Sequence, residues 1–185
     1  HGKVCAWLYP DRRGYAADGA LKRLRLQLCD IFVIMRRLLS ESEDYSMKLS
    51  ARNQFPGTVT KVTEGAVNGI VTIDVNGTPV TSTISMSAIR ELGLEPGKRA
   101  YAVVKATEVM VGLGEHLTLS ARNQFPGKVI RVEKGAVNSI VRMDVLNGNT
   151  LSATISNNAV EELGLVPGVE ALAVIKATSV MVGID

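Results

Sequence analysis

The sequence is poor in the residues that most often announce chemistry. It holds two cysteines and two histidines in 185 residues. Cys5 and Cys29 fall early, and His1 and His116 lie far apart, so no zinc-like spacing is present. Aromatic residues make up only 4% of the chain. Trp7, Tyr9, Tyr15, Phe32 and Tyr45 sit in the first 46 residues, which leaves Phe55, Tyr101 and Phe125 for the rest. Proteins that bind single-stranded nucleic acid stack bases on aromatics along a basic groove. So few aromatics, with a formal net charge of +3, argue against that class. Long apolar runs are also missing. The most apolar stretch, Leu26 to Met35, contains Asp30, is flanked by Arg25, Arg36 and Arg37, and is too short to span a bilayer. Nothing resembles a secretory leader. The expectation is a soluble, cytoplasmic protein with no membrane partner. No nucleophile–base pair, phosphate-cradling glycine loop or paired catalytic carboxylates are visible, so no enzyme is expected.

What the sequence does have is repetition. "LSARNQFPG" occurs at 49–57 and again, unchanged, at 119–127. "GAVNGIVTIDV" (65–75) matches "GAVNSIVRMDV" (135–145), and one residue then enters the second copy near Leu146. "TISMSAIRELGLEPG" (83–97) matches "TISNNAVEELGLVPG" (154–168), and "AVVKATEVMVG" (102–112) matches "AVIKATSVMVG" (173–183). Repeats decide the architecture before any other signal. The chain reads as a helical or disordered extension over 1–46, a first repeat over 47–114 and a second over 117–185. The short linker "GLGEHLT" predicts that the repeats pack side by side.

Each repeat reads as mostly strand. "IVTIDV" alternates apolar and polar residues, as a half-buried strand does. Asn76–Gly77 and Asn147–Gly148 signal hairpin turns. Short helices are predicted at about 86–92 and 157–163, with Ser85 and Ser156 as N-caps and Gly93 and Gly164 as stops. "AYAVVKATEVMVG" and "ALAVIKATSVMVG" read as the last strands. The predicted fold is mainly β: two tandem OB-like Greek-key barrels, each with one short helix. Ahead of them, Leu21, Leu24, Leu28, Ile31, Phe32, Met35, Leu38 and Leu39 recur at helical steps and predict an amphipathic helix.

Two pairs of cations stand out. Lys105 and Lys176 interrupt the apolar runs "AVVKA" and "AVIKA". An unpaired ammonium is costly to bury, so each must reach solvent or meet an anion. Taken singly, such a lysine is ordinarily an outer-face residue whose stem lies over apolar surface. Arg52 and Arg122 each belong to Ser-Ala-Arg-Asn. The hydroxyl, the guanidinium fork and nearby backbone N–H groups are mostly donors, which suits an oxyanion. The other reading is an Arg and an Asn that tie down the start of a strand. Both repeats keep Ser, Arg and Lys, while Gly69/Ser139, Thr72/Arg142 and Met86/Asn157 differ. Two cations with hydroxyl donors would neutralise a dianion. "GAVN" reads as a turn, Asp74 and Asp144 read as solvent-facing, and His116 is given no role.

At "SARNQFPG", "GAVN", "ELGL" and "AVVKATEVMVG" the chain resembles the molbindin (Mop) family in its tandem, di-Mop form, over about 47–185. The resemblance implies barrels of the Mop/TOBE type and an intracellular protein that binds molybdate or tungstate for storage and homeostasis. It also implies assembly of tandem units as a homotrimer, with anions at the interfaces between units; a helix at 21–39 would instead add dimer contacts. Carried over residue by residue, it implies Ser50, Arg52 and Lys105 as ligands in the first repeat, and Ser120, Arg122 and Lys176 in the second. Backbone donors near Ala51, Ala106, Ala121 and Ala177 and a hydroxyl from a neighbouring unit, Ser85 or Ser156, would complete the shell. The sequence departs from many relatives at Ala88 and Ala159, where a second helix-start hydroxyl is often found. The same tandem unit forms the C-terminal half of molybdate-responsive transcriptional regulators, so a ligand sensor is the alternative. DNA is a partner only if a further domain precedes His1. Residues 21–39 then read as the remnant of a dimerising helix; the other reading is that the first 46 residues are a leader ahead of a start at Met47.

With 13 Lys and Arg against 12 Asp and Glu over 47–185, the tandem should produce no gel shift of single-stranded oligonucleotides at about 0.15 M salt; a saturable shift there would contradict the exclusion.

Overall fold

A computed structural model of the chain describes residues 49–114 and 116–185. The amphipathic helix expected at 21–39 and the extension over 1–46 lie outside the described residues. The first repeat runs β1 (Asn53–Thr63), β2 (Asn68–Val75), β3 (Thr78–Ser85), α1 (Met86–Glu91), β4 (Arg99–Val104), a 3₁₀ turn (Ala106–Glu108) and β5 (Met110–Gly112). The second runs β6 (Asn123–Lys134), β7 (Asn138–Val145), β8 (Asn149–Ser156), α2 (Asn157–Glu162), β9 (Glu170–Ile175), a 3₁₀ turn (Ala177–Ser179) and β10 (Met181–Gly183). The mainly β, two-barrel architecture expected from the sequence is what forms: two curled five-stranded antiparallel sheets.

The strands form where alternation predicts. In β2, Val71, Ile73 and Val75 are fully buried while their neighbours are half exposed. The β2–β3 turn has φ of 50° at Asn76 and 82° at Gly77, the doubly left-handed form that matches the twist of a hairpin. In the second repeat the extra residue makes the turn three residues long, with Leu146, Asn147 and Gly148 all at positive φ. The added Leu146 is buried, so the insertion contributes to the core. The Ser85 and Ser156 hydroxyls accept from the N–H groups of Ala88 and Ala159, each at 3.2 Å, as N-caps should. Gly93 and Gly164, at φ of 56° and 59°, end the helices.

The structure departs from the sequence reading at the final strands. "AYAVVKATEVMVG" and "ALAVIKATSVMVG" are not single strands. Each breaks at its lysine, turns through a 3₁₀ segment, and then leaves its own sheet. One sheet has the order β10-β4-β1-β2-β3 and the other β5-β9-β6-β7-β8. The last strand of each repeat therefore lies in the sheet of the other. Met181–Gly183 pair with Tyr101–Val103, and Met110–Gly112 pair with Leu172–Val174. The break has a physical cause in Val109 and Val180, which are buried in a core continuous through both repeats. Burying a valine is worth about 1.5–3 kcal/mol, and extending β4 or β9 straight on would forfeit it. Asp144 is exposed as expected, whereas Asp74 is half-buried and accepts a hydrogen bond from the Gly77 N–H at 3.2 Å.

The two repeats fill one corresponding gap in different ways. A Cβ added at Gly69 would lie 2.4 Å from Ile89 Cδ1 and 3.0 Å from Met86 Sδ. The second repeat has Ser139 there. It fits because Val160 is shorter than Ile89 and because Asn157 replaces Met86, placing Oδ1 2.6 Å from the Ser139 hydroxyl that donates to it. Gly69→Ser alone should lower stability in urea by about 1–3 kcal/mol. Adding Ile89→Val and Met86→Asn should recover most of that loss.

Candidate functional site

The repeated phrase acquires a reason residue by residue. Phe55 and Phe125 are core side chains. Pro56 pairs with Tyr101 on β4 but precedes the β1–β2 ladder, which begins at Thr58, so no ladder N–H toward β2 is demanded of it. Gly57 lies where a Cβ would stand 2.3 Å from the Asp74 carbonyl oxygen, so no larger residue fits. The Gln54 side chain donates to the carbonyl of Ala51 at 3.0 Å and folds the Ser-Ala-Arg segment back on itself. Gln124 does the same to Ala121 at 3.3 Å and also bonds the linker at Leu117, in both directions, at 2.9 Å. Ala51 and Ala121 are buried beneath.

The residues left over are the serine and the arginine. Ser50, Arg52, Ser120 and Arg122 are exposed. The β1–β4 ladder ends at Asn53 opposite Val104, and the β6–β9 ladder ends at Asn123 opposite Ile175. The next residues outward are Arg52 and Lys105 in one sheet, and Arg122 and Lys176 in the other. Register thus places the two cations of each repeat, 53 or 54 positions apart in sequence, opposite one another at the same end of a strand pair. Each lysine is also the N-cap of its 3₁₀ turn, and its side chain makes no capping bond. Ala106 and Ala177 follow immediately. Among the described residues the ion pairs are Arg131–Glu133, Lys134–Glu161 and Arg142–Glu133. None of the four strand-end cations takes part.

Unpartnered like charges set opposite across a strand pair disfavour the fold. They are tolerable where a ligand of opposite charge completes them. The available groups are ammonium, guanidinium and hydroxyl, and the first two only donate. That donor set fits a tetrahedral dianion whose oxygens only accept. It is unsuited to a metal cation, and no cluster of three or more His, Cys, Asp or Glu with metal-ligand geometry occurs among the described residues.

Ser85 is not brought to the cation pair of its own repeat. Ser85 lies opposite Asn68, and Thr63 lies opposite Ile70, so Ser85 sits at the far end of the 11-residue β1 from Arg52. At about 3.3 Å per residue, that separates them by a strand length. The Ser85 hydroxyl is engaged with Ala88 N and lies 2.9 Å from Ser87 Oγ.

In the sequence, Asn53 and Asn123 carry no signal beyond tying down the start of a strand. Both are 1% exposed, and both reach into the opposite repeat. Asn53 Nδ2 donates to the Ser152 carbonyl at 2.9 Å and Asn53 Oδ1 accepts from the Ser152 N–H at 2.7 Å. Asn123 bonds Thr81 in the same way at 2.8 and 2.7 Å. A groove of about 1100 Å³ runs beside His116, Gln124–Lys128 and Asp144–Gly148. None of the expected anion ligands lines it. Its charged side chains, Lys128, Asp144 and Glu170, do not suit a dianion.

Comparison with known proteins gives the following similarities. The TOBE domain model matches residues 49–111 and 119–182. The molybdenum transport protein ModE of Herbaspirillum seropedicae is 40% identical over 142 residues, 76% of this chain and 53% of that protein. The molybdenum-pterin-binding protein MopA of Rhodobacter capsulatus is 37% identical over 138 residues, 74% of this chain and 52% of its own length. This chain thus spans about half the length of these two relatives. A probable molybdenum-pterin-binding protein of Haemophilus influenzae is 56% identical over 69 residues, its whole length and 37% of this chain. A solved structure of the cytoplasmic molybdate-binding protein ModG, with molybdate bound, superposes with a TM-score of 0.73 at 42% identity, covering 75% of this chain and all of that one.

If the strand-end cations are kept for a ligand, removing one should stabilise the anion-free protein. Lys105→Gln and Lys176→Gln should each raise stability by about 0.5 kcal/mol in urea titrations without multivalent anions. Destabilisation by either would show that the lysine serves the fold.

Proposed function

The chain belongs to the TOBE-domain proteins in their tandem, di-Mop form, and we propose from this that it binds the molybdate dianion at Arg52 with Lys105 and at Arg122 with Lys176. The observation that carries the proposal is the register that opposes two unpaired cations at one end of each β-ladder. Ser50 and Ser120 supply hydroxyls, and the backbone near Ala51, Ala106, Ala121 and Ala177 supplies further N–H donors. Tungstate, of the same shape and charge, is held in the same way. The protein performs no chemistry on the anion. Its role is storage and homeostasis in the cytoplasm, and no helix among the described residues is long and apolar enough to cross a membrane.

The hydroxyl of Ser85 or Ser156 completes each site from a neighbouring unit. The proposed assembly is therefore a homotrimer of tandem units with anions between units. Exposed apolar side chains recur at matching places in the two repeats and suit such burial: Leu49 and Leu119, Val67 and Val137, Met110 and Met181.

A second reading, the sensing part of a regulator, is favoured by a specific similarity. The DNA-binding transcriptional dual regulator ModE of Escherichia coli is 31% identical over 150 residues, which are 56% of its length. On this reading the same sites bind the same anion, and occupancy is passed to DNA.

Calorimetric titration with molybdate, with sulfate as control, tests the proposal. The wild-type chain should bind molybdate saturably and sulfate far more weakly. The double variant Arg52→Ala with Arg122→Ala should weaken binding at each site by about 10- to 150-fold while keeping its circular dichroism spectrum, because each charged hydrogen-bonding group contributes about 1.5–3 kcal/mol. Unchanged molybdate stoichiometry in the double variant would contradict the site assignment.

A further inference from the structure

We infer that Asn53 and Asn123 are the positioning residues of the anion sites, and that each acts by clasping the opposite repeat. The inference rests on the proposed binding at Arg52–Lys105 and Arg122–Lys176 and adds residues that touch no anion. Each asparagine is the first residue of its strand and follows the arginine. On its backbone side, Asn53 closes the last β1–β4 pair with Val104. On its side-chain side, the carboxamide meets both the N–H and the carbonyl of Ser152. β8 is an edge strand whose other neighbour is β7, with Ser152 opposite Arg142. The Asn53 amide thus acts as a one-residue ladder partner for an edge that would otherwise end bare. Asn123 serves Thr81 of β3, the other edge, identically.

The consequence falls on the neighbouring arginine. Arg52 and Lys105 are exposed like charges just beyond the last β1–β4 pair, where no ladder bond holds them. With Asn53 held to β8 by two bonds, the root of Arg52 is fixed against its own sheet and the other repeat at once. The anion then meets cations already in place, and ordering costs are removed from the binding step. Fixed cation spacing also ranks tetrahedral anions by size. Loosening it should therefore erode discrimination as well as affinity. A residue that merely stabilises the fold would lower the melting temperature and leave discrimination alone.

The test is calorimetry with molybdate and with sulfate on Asn53→Leu, a neutral change of similar volume that removes both bonds and introduces no charge. Circular dichroism is recorded below the variant's melting temperature to confirm the fold. The result expected is about tenfold or greater weakening of molybdate binding at half of the sites, those containing Arg52, with a reduced molybdate-to-sulfate ratio there. The Arg122 sites should bind as in the wild type. Should Asn53→Leu fail to fold, Ser152→Pro removes the donor to Asn53 Oδ1 from the opposite repeat and leaves the first repeat's sequence intact. It should weaken the same half of the sites. A lowered melting temperature with unchanged affinity and unchanged molybdate-to-sulfate ratio, in either variant, would overturn the clasp. Wild-type protein that binds no molybdate would instead overturn the proposed function.

Discussion

Two cations stand just beyond the end of each strand pair with no ion-pair partner among the described residues, and much of this structure is organised around keeping them there. Arg52 opposes Lys105 because the β1–β4 ladder runs to Asn53 and Val104 and then stops. Arg122 opposes Lys176 for the corresponding reason. No carboxylate among the described residues forms an ion pair with them, although Glu133 pairs with Arg131 and Arg142 on the sheet that carries Arg122. The residues packed around each strand end hold it in place. Gln54 and Gln124 fold the preceding segment, Asn53 and Asn123 tie it across, and Ala51 and Ala121 anchor it below. A protein that only needed to fold would be better served by removing one charge of each pair.

The same lysines mark where the chain changes sheets. After Lys105 the chain turns, buries Val109 and adds β5 beside β9; after Lys176 it turns, buries Val180 and adds β10 beside β4. A sequence repeat is therefore not a self-sufficient sheet, because each five-stranded sheet is closed by three residues of the other repeat. Two crossovers, two asparagine clasps and one continuous core join the halves. Ser179 Oγ adds a bond to Glu108 at 3.0 Å between the two 3₁₀ turns, and Asn147 Nδ2 donates to the Asn76 carbonyl at 2.8 Å between the two hairpin tips.

How much of this was legible beforehand follows from the range of the interactions. Asn76–Gly77, the Ser85 and Ser156 caps, the Gly93 and Gly164 stops and the alternation of β2 act within a few residues, and they were read correctly. The chemical character of Ser50, Arg52 and Lys105 was also legible, because a charge in an apolar run and a phrase kept in duplicate need no structure to be noticed. Their juxtaposition was implied only by the family resemblance, since in the residues themselves it depends on register. The break at Lys105 was hidden because "AVVKATEVMVG" keeps an unbroken β-like pattern. Its cause lies in the other repeat's core. The role of Asn53 was hidden more deeply still, since its partner Ser152 is 99 positions away and is met through backbone atoms, which carry no sequence signal. Gly57 was visible as a glycine but not as a necessity, because the Asp74 carbonyl that excludes a side chain comes from another strand.

Crystals grown with molybdate, measured at the molybdenum absorption edge, locate the metal directly by its anomalous signal. Peaks are expected between the Arg52 and Lys105 side chains and between those of Arg122 and Lys176. Peaks confined to other places, such as the groove beside His116 and Lys128, with both cation pairs left empty, would contradict that placement of the anion.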